Sequence, residues 1–483
     1  MLRLKNKKIL IAPYSPISRR LERHLKEKYQ STSQGFIDKN KQGQNIIAPN
    51  KIKEIDPDYI VIFSPNHHRA IGREYGKLVD KKKLIIVDFV DEEYQLLAPF
   101  SVMKRSLKEK MFNLRKMLGN LILLLSNKFI DTLRIERCYN LLIAEDYIDA
   151  NIKYMYLYLI EKKEKAMLLT NNKQQLKELK IARLPAGKLF SLKGYLYTAI
   201  AKTIYLDHFI IDYLESTSNK QKIIQLWHGV GLKPIRDRSK INYDTFVSTS
   251  NWTNETNFKN VFQAKRFVNL GYPRNDILLK HKLGERDLVL TDKKIYVDIL
   301  EAKRKNQKTI LYMPTFRENG FESFPIKFKT LNQQLKENSI KLYVKLHPYV
   351  LQQYFDSIDS SISYSNIIFY KTQSDIYPAL REIDILITDY SSIAYDFLLL
   401  DRPIVFFIYD FDDYISIREE CIGSKFLFDF NDFTPGVKVK TEKELIDALA
   451  SSEDSFKEHR KIIKNKFFDY LDSNSAKRIS EYE

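Results

Sequence analysis

The sequence predicts an α/β protein built from several parallel sheets, and two observations support this fold class. Short apolar, β-branched runs recur along the chain between stretches with helical spacing, an alternation that is typical of parallel α/β units. The 483 residues are 44% hydrophobic and 29% charged, which suits a globular chain of two or three domains. We expect a small N-terminal α/β domain over residues 1–100 and two larger α/β units over residues 131–290 and 291–483.

The N-terminal domain is predicted from four apolar runs, at residues 8–13, 35–38, 59–63 and 83–87, and from a helical pattern at residues 18–29. It lacks the Gly-x-Gly-x-x-Gly pattern of dinucleotide-binding domains, so the sequence does not support dinucleotide binding there. Nothing in these residues assigns a role to this domain.

Residues 101–130 form a basic, amphipathic linker, with a predicted helix over residues 102–128. Its apolar face carries Leu107, Met111, Leu114, Leu118, Leu121 and Leu125, and its basic residues are Lys104, Arg105, Lys108, Lys110, Arg115 and Lys116. Such a helix suits the headgroup region of an anionic membrane. A leucine stripe is also the usual sign of a helix that packs against a neighbouring domain, so both interpretations stay open.

The chain is strongly basic, with 79 Lys and Arg against 61 Asp and Glu, a net charge of +18. This charge favours an anionic partner such as a membrane surface, a polyanionic substrate or a nucleic acid, but we recognise no nucleic-acid-binding motif. Cys138 and Cys421 are too few for a disulfide framework, which favours a reducing, cytoplasmic setting. We expect neither a signal peptide nor a transmembrane helix, because no stretch approaches the roughly 18 apolar residues that a span requires.

Polar side chains follow the predicted strands of both larger units. These strands are residues 166–170, 203–206 and 223–226 in the first unit, and 309–313, 341–346, 367–370, 383–387 and 404–407 in the second. The polar residues and glycine at their ends are His228, Gly229, Thr315, Arg317, Lys345, His347, Asp389, Ser391 and Ser392. Because the carboxyl ends of parallel strands meet at one edge of a sheet, we expect these residues to converge on a cleft between the two units.

The stretch around Asp389, Ser391 and Ser392 predicts a strand that leads into a capped helix. The first N–H groups and the positive dipole end of such a helix attract anions, so we expect a phosphate there. Hydroxyl, Lys and Arg groups at neighbouring strand ends fit a phosphate ester better than an apolar ligand. A single histidine or arginine in this set is more often structural, and it is their joint occurrence at strand ends that favours a site.

Five motifs follow one another in the two larger units: Trp227-His228-Gly229, Gly271-Tyr272-Pro273-Arg274-Asn275-Asp276, Tyr312-Met313-Pro314-Thr315-Phe316-Arg317, Leu346-His347-Pro348 and Thr388-Asp389-Tyr390-Ser391-Ser392. In this order they closely resemble the CDP-glycerol glycerophosphotransferase family of teichoic acid primases and polymerases. The resemblance covers about residues 160–480. It implies a GT-B fold, in which two Rossmann-like domains face each other, with the acceptor side in residues 131–290 and the donor side in residues 291–483.

The resemblance also implies a reaction and its partners. The donor is CDP-glycerol or CDP-ribitol, the acceptor is a hydroxyl of a lipid-linked or polysaccharide molecule, and CMP is released. An enzyme of this kind works at the cytoplasmic face of the cell membrane and makes teichoic acid or capsule polymers. No cofactor is implied, and no acidic cluster suitable for Mg²⁺ is evident in the sequence.

The family's motifs suggest roles for the strand-end residues. We expect His228 to act as the general base toward the acceptor hydroxyl, and His347 to hydrogen-bond the pyrophosphate and stabilise the departing phosphate. The donor phosphates are expected to bind Thr315, Arg317, Lys345, Ser391 and Ser392. Supporting roles fall to Gly229, Arg274, Asp276 and Asp389, with Asp389 orienting its loop or capping the helix, and Arg274 and Asp276 shaping the cleft.

The sequence also departs from the family pattern, because Val230-Gly231-Leu232-Lys233 replaces the usual Thr-Pro-Leu-Lys. Glycerol phosphate is the expected polyol phosphate, but the departure leaves the polyol and the acceptor open. Two other functions remain as alternatives. One is a GT-B glycosyltransferase that uses a nucleotide sugar, and the other is a non-catalytic scaffold at the membrane.

Overall fold

The computed structural model describes the whole chain except residues 1–3, 15, 40–42, 44, 64–67, 91–92, 97–98, 146–147, 149, 209–213, 215, 236–241, 316–325, 347–363, 371–372, 423–425, 452 and 483. It describes the backbone alone for residues 16–17, 20, 68–70, 73, 81, 88–90, 93–96, 99–110 and 417–422. The chain forms two compact units, residues 1–113 and residues 114–316 with 321–483.

The first unit holds the N-terminal domain, a six-stranded sheet in the order β3-β2-β1-β4-β5-β6. Its strands are β1 Lys8–Ala12, β2 Thr32–Ile37, β3 Ile46–Ile47, β4 Tyr59–Ile62, β5 Leu84–Val90 and β6 Glu93–Leu96, and its helices are α1 Pro16–Tyr29, α2 Ile52–Ile55 and α3 His68–Tyr75. The strands are parallel except for β6, which runs antiparallel to β5. Apolar side chains cover both faces of the central strand β1, as expected for a parallel sheet.

A 34-residue helix, α4 Pro99–Thr132, leads into the second unit, where residues 139–290 form the middle domain. The middle domain contains a parallel seven-stranded sheet in the order β13-β12-β11-β10-β7-β8-β9. Its strands are β7 Tyr139–Ala144, β8 Ala166–Thr170, β9 Ala186–Lys188, β10 Ala201–Leu206, β11 Lys222–Gln225, β12 Tyr243–Val247 and β13 Ala264–Val268. Its helices are α5 Ala150–Glu161, α6 Lys173–Ile181, α7 Leu192–Ala199, α8 Asn251–Thr256 and α9 Pro273–Leu279.

The C-terminal domain contains a second parallel sheet, of six strands in the order β16-β15-β14-β17-β18-β19. Its strands are β14 Lys308–Tyr312, β15 Ile340–Val344, β16 Ile367–Phe369, β17 Ile385–Thr388, β18 Ile404–Phe407 and β19 Val437–Val439. The helices that follow α9 are α10 Lys293–Arg304, α11 Phe328–Glu337, α12 Tyr377–Leu380, α13 Ile393–Phe397, α14 Phe411–Ile422, α15 Phe430–Phe433, α16 Glu442–Ala450, α17 Lys457–Phe467 and α18 Ser475–Tyr482.

Each of the two larger sheets has a point at which the strand order reverses. In the middle domain this point lies between β7 and β10, and in the C-terminal domain it lies between β14 and β17. Loops that leave neighbouring strands at such a point separate to opposite faces of the sheet and open a crevice at the carboxyl edge. The topology therefore brings the end of β14 next to the end of β17, where Thr315 and Asp389 lie.

The predicted fold class is confirmed: parallel α/β sheets form two Rossmann-like domains that pack together, and a further α/β domain precedes them. One continuous apolar core runs from the middle domain into the C-terminal domain. The last helix, α18, crosses back to contact α5 and α9 of the middle domain. Among the described residues, no helix is both long enough and apolar enough to cross a membrane.

Candidate active site

The loop that carries His228 leaves β11 through a turn at Trp227. The backbone of Trp227 has a φ of 56°, in the left-handed region that L-residues rarely adopt, and its side chain is buried. The side chain of Gln225 accepts the Trp227 N–H at 2.9 Å, and the Nδ2 group of Asn151 donates to the Trp227 carbonyl at 2.8 Å. These two bonds hold an unfavourable conformation, which is a common property of functional loops.

The ring of His228 is held in one tautomer by the backbone. Its Nδ1 lies 2.8 Å from the carbonyl oxygen of Asp207, at the end of β10. A carbonyl oxygen only accepts, so Nδ1 carries the proton and Nε2 keeps the basic lone pair of the neutral ring. The ring also stacks on His208, with centroids 4.3 Å apart, and contacts the ring of Trp227. This arrangement suits a general base that receives its proton at Nε2.

Arg274 connects the His228 loop to the C-terminal domain. Its Nη1 donates to the His228 carbonyl oxygen at 2.7 Å, and its Nη2 lies 2.7 Å from Oδ2 of Asp396 on α13. The hydroxyl of Tyr377 donates to the same carboxylate oxygen at 2.6 Å. The side chains of Arg274 and Asp396 are 5% and 1% exposed, so this ion pair is almost fully desolvated. Arg274 therefore holds the two domains and the backbone of His228 in one geometry.

Gly229 and Gly231 let the His228 loop lie directly on the segment that contains Ser392. A β-carbon built on Gly229 would lie 3.3 Å from Oγ of Ser392, and one on Gly231 would lie 3.3 Å from the ring of Tyr395. A β-carbon at either position would therefore require its neighbour to shift by a few tenths of an ångström. The structure thus brings together four of the residues that the sequence selected: His228, Gly229, Arg274 and Ser392.

Asp389 lies on the other side of this cleft, at the point between β14 and β17 where the strand order reverses. Its Oδ1 accepts the backbone N–H of Thr315 at 2.8 Å and that of Tyr390 at 2.5 Å. The side chain of Lys233 donates to Oγ1 of Thr315 at 3.1 Å, which adds a cation to this group. These contacts agree with a loop-orienting role for Asp389.

The prediction that Asp389, Ser391 or Ser392 caps the following helix through its side chain is wrong. The residue before α13 is Ser392, and its backbone is itself helical, with φ −64° and ψ −16°, so its side chain makes no capping bond. Asp389 uses its Oδ1 on the strand-end loops instead. Because α13 has only five residues, its dipole adds little attraction for an anion at this position.

Lys345 and Asp276 lie outside this group of contacts. The Lys345 ammonium donates to the carbonyl of Ser374 at 3.0 Å and lies 5.0 Å from the centroid of the Tyr370 ring. Burial lowers the pKa of Lys345 to about 8, although nearby carboxylates act in the opposite direction, so the group stays charged at neutral pH. Asp276 accepts the backbone N–H groups of Ser475 and Ala476 and so anchors α18 to the middle domain. Burial raises the pKa of Asp276 to about 6 despite these bonds.

Two of the predicted site residues, Arg317 and His347, lie outside the described residues. In the part of the chain that the structure describes, no three His, Cys, Asp or Glu side chains converge to hold a metal ion.

Sequence reasoning missed Lys233 and His208. His208 carries the same signal that identified His228, because it is a polar residue that closely follows the end of β10. Lys233 lies well beyond the end of β11 and carries no such signal.

A second buried ion pair, also missed, joins the same two domains. Lys153 on α5 has its Nζ 2.6 Å from Oδ2 of Asp375, and neither side chain is more than 4% exposed. The hydroxyl of Tyr154 donates to the same oxygen at 2.6 Å, and Lys153 also donates to the carbonyl of Asp287. The signal was available in the sequence, because Lys153 is the one basic residue within an otherwise apolar helix. This pair reinforces the domain arrangement that Arg274 sets.

Comparisons with known proteins give a family match and several similar sequences. The family model described as CDP-glycerol:poly(glycerophosphate) glycerophosphotransferase matches residues 131–482. A teichoic acid poly(ribitol-phosphate) polymerase of Bacillus spizizenii is 25% identical over 458 residues, covering 90% of this chain and 63% of that protein. A teichoic acid glycerol-phosphate transferase of Staphylococcus aureus is 28% identical, covering 70% of this chain and 90% of that protein.

The solved structures include a variant of the wall teichoic acid polymerase TagF that was soaked with CDPG. It matches with a TM-score of 0.58 and 21% identity, over 78% of this chain and 97% of that one. At this identity the likeness supports the fold alone. The chain spans 63% of the length of the Bacillus spizizenii polymerase.

Proposed function

The chain belongs to the CDP-glycerol:poly(glycerophosphate) glycerophosphotransferase family, and on this premise we propose that it transfers a polyol phosphate, with glycerol phosphate expected, from a CDP-activated donor to an acceptor hydroxyl. CMP is the leaving group, and the product extends or primes a cell-surface glycopolymer such as teichoic acid or capsule. One observation carries the proposal: His228, with its base nitrogen set by the Asp207 carbonyl, sits on a loop that packs against Ser392 of the phosphate-side cleft.

In the proposed reaction, Nε2 of His228 takes the proton of the acceptor hydroxyl while its oxygen attacks the β-phosphorus of the donor. A new phosphorus–oxygen bond forms, the bond from that phosphorus to the bridging oxygen breaks, and CMP leaves with the electron pair. Phosphoryl transfer depends mainly on positioning and on neutralising charge. Lys233, Thr315, Ser391 and Ser392 would hold the donor phosphates, and Asp389 would fix the Thr315 loop.

Arg317, Lys345 and His347 complete the proposed donor site. Arg317 and His347 follow the same strands, β14 and β15, whose ends line the crevice of the C-terminal domain. In the proposal, Arg317 neutralises the pyrophosphate and His347 donates a hydrogen bond to the departing phosphate. Lys345 supplies a charge that is retained below a pH of about 8, the value to which burial lowers its pKa.

A donor panel tests this function. We expect CMP release with CDP-glycerol and membrane extract as the acceptor source, slower release with CDP-ribitol, and no UDP release from UDP-sugars. The His228→Ala variant, prepared in parallel, reports any contaminating hydrolase. UDP release without CMP release would favour a nucleotide-sugar glycosyltransferase, and no release of any nucleotide would favour a scaffold.

We also propose that the protein associates with the cytoplasmic face of the membrane through α4. The helix is continuous from Pro99 to Thr132. On its predicted apolar face, Met111, Leu114, Leu118, Leu121 and Leu125 are 47–57% exposed. The side that packs on the middle domain is a different one, formed by Gly119, Leu123, Asn127 and Ile130. The predicted apolar face is thus not the face that packs on the middle domain. This supports the interpretation that it contacts a membrane.

Vesicle flotation tests this association. Because Leu123 is fully buried, deleting the helix would disturb the fold, so we choose substitutions on its exposed face. The triple variant Leu114→Asp/Leu118→Asp/Leu121→Asp should lose binding to phosphatidylglycerol vesicles about 100-fold or more, since each leucine contributes about 1.5 kcal/mol when it leaves water. Ile181→Asp, which changes a 72% exposed residue on α6, is the matched control. Undiminished flotation of the triple variant would contradict the proposal.

A further inference from the structure

An apolar cavity of about 760 Å³ lies between α4 and α7 of the middle domain. Its walls include Leu125, Phe129 and Ile130 from α4, Leu196 and Tyr197 from α7, and a single charged residue, Lys193. The volume falls within the range of about 300–1,000 Å³ that is typical of small-molecule sites. The proposed reaction uses none of these residues, and Leu125 is the one that also belongs to the apolar helix face predicted from the sequence. The lining favours a hydrocarbon ligand, because it offers few groups for a polar one.

The cavity has a defined origin in the packing of the two helices. They meet where Gly119 faces Tyr195, since a β-carbon on Gly119 would lie 1.9 Å from the tyrosine ring. The glycine therefore allows close contact at this point. Beyond this contact, toward its C-terminal end, α4 lines the cavity with Leu125 and Phe129, which are 57% and 60% exposed. A cleft that starts at a tight helix contact and opens between apolar walls suits an extended chain.

Most of the described charges on α4 and α7 are positive, which suits an anionic headgroup. The described charged residues of α4 and α7 are Arg115, Lys116, Lys128, Asp131 and Lys193. Asp131 is the one carboxylate among them, and it is engaged by Arg137 at 2.8 Å and by the Ser218 hydroxyl at 2.7 Å. The remaining four are cations. Lys193 lines the cavity itself, so a phosphate at the mouth would find a positive partner there.

We propose that this cavity binds one acyl chain of an anionic membrane phospholipid, with the lipid phosphate near Lys193. The proposal rests on the membrane association proposed above and deepens it. It adds to the contact between α4 and the membrane surface a site that holds one lipid acyl chain. Withdrawing one chain from the bilayer into a protein cleft would fix the middle domain at a set depth and orientation. The acceptor cleft would then face the membrane at a constant distance.

Photo-crosslinking tests the site in the full-length protein. The probe is phosphatidylglycerol with a diazirine in its acyl chain, present as a minor component of phosphatidylcholine vesicles. Mass spectrometry of the labelled peptides should place the adducts at residues 125–130 and 193–200. Leu196→Asp/Phe129→Asp should lower this labelling about tenfold or more, because both substitutions remove apolar contacts with the chain. Both residues are substantially exposed, so the variant should fold, and Ile181→Asp is the control that keeps full labelling.

A second variant separates the headgroup from the chain. Lys193→Glu leaves the apolar walls in place and should weaken labelling by the phosphatidylglycerol probe, but not by a phosphatidylcholine probe with the same chain. Adducts confined to residues 111–121, or full labelling of Leu196→Asp/Phe129→Asp, would overturn the proposal. So would competition by a polyprenyl phosphate but not by unlabelled phosphatidylglycerol. CMP release with a soluble, lipid-free acceptor tests the transferase function separately, since it does not depend on this cavity.

Discussion

Replacing His228 with alanine should lower kcat for CMP release from CDP-glycerol about 10²–10⁴-fold, the usual contribution of a positioned general base. The expectation rests on the bond from Nδ1 to the Asp207 carbonyl, which leaves Nε2 as the basic nitrogen. The protein should stay folded, because the substitution removes one hydrogen bond and a half-buried ring, and the Trp227 turn is held by Gln225 and Asn151. The measurement is steady-state CMP release together with thermal unfolding.

His281→Ala is the matched control for this experiment, because His281 is exposed and lies outside the cleft. We expect it to retain wild-type kcat. His208→Ala addresses the stacked ring and should have a smaller effect than His228→Ala, because the proposal assigns the proton transfer to His228 and only a stacking contact to His208. Near-normal turnover by His228→Ala would show that another group removes the proton, and the base assignment would be wrong.

Several central strands were predictable because buried parallel strands are short, continuous apolar runs, although β7, near the centre of the middle-domain sheet, was not predicted. Residues 309–313 and 404–407 were predicted as strands and lie within one residue of β14 and β18. The outer strands gave no such signal. Ala264–Val268 carries Lys265 and Arg266 and is partly exposed, so its sequence does not differ from that of a loop. Tyr243–Val247 was missed because polar residues interrupt its short run.

The position of the site was predictable from topology, whereas its internal contacts were not. Parallel strands place their carboxyl ends at one edge, which is why polar strand-end residues could be grouped before any geometry was known. The partners of these residues come from distant parts of the chain. Arg274 pairs with Asp396, and Asp276 binds the backbone of Ser475, at separations of more than 100 residues. Such pairings depend on how the two domains dock, and no local pattern encodes them.

The capping prediction failed for a related reason. Ser391 and Ser392 have the side chains of good N-caps, but the identity of a cap depends on which residue leaves the helical conformation. Here Ser392 is already helical, and Asp389 serves the neighbouring strand. As a result Ser392 stays exposed on the surface that faces Gly229.

Replacing Arg274 with methionine should destabilise the protein by about 3–5 kcal/mol, the cost of leaving one partner of a buried ion pair uncompensated. Asp396 would remain 1% exposed with its guanidinium partner removed, although Tyr377 would still donate to it. We also expect kcat to fall, because the His228 carbonyl would lose its donor. The His228 loop would then no longer be connected to the C-terminal domain through Arg274. Arg274→Lys should not retain full activity, since a single ammonium does not reproduce the separate contacts of the guanidinium with the His228 carbonyl and with Asp396.

The double variant Arg274→Met/Asp396→Leu separates stability from positioning. It removes both buried charges, so most of the lost unfolding free energy should return, as replacement of a buried pair by apolar residues is often neutral. The His228 carbonyl still lacks its partner, so kcat should stay low. Arg460→Met is the matched control, because Arg460 is equally buried and pairs with Asp454 and Asp401 away from the cleft. It should lower stability without changing kcat per folded molecule. If the double variant recovered kcat together with stability, Arg274 would only hold the domains together, and the geometry of the His228 loop would not depend on it.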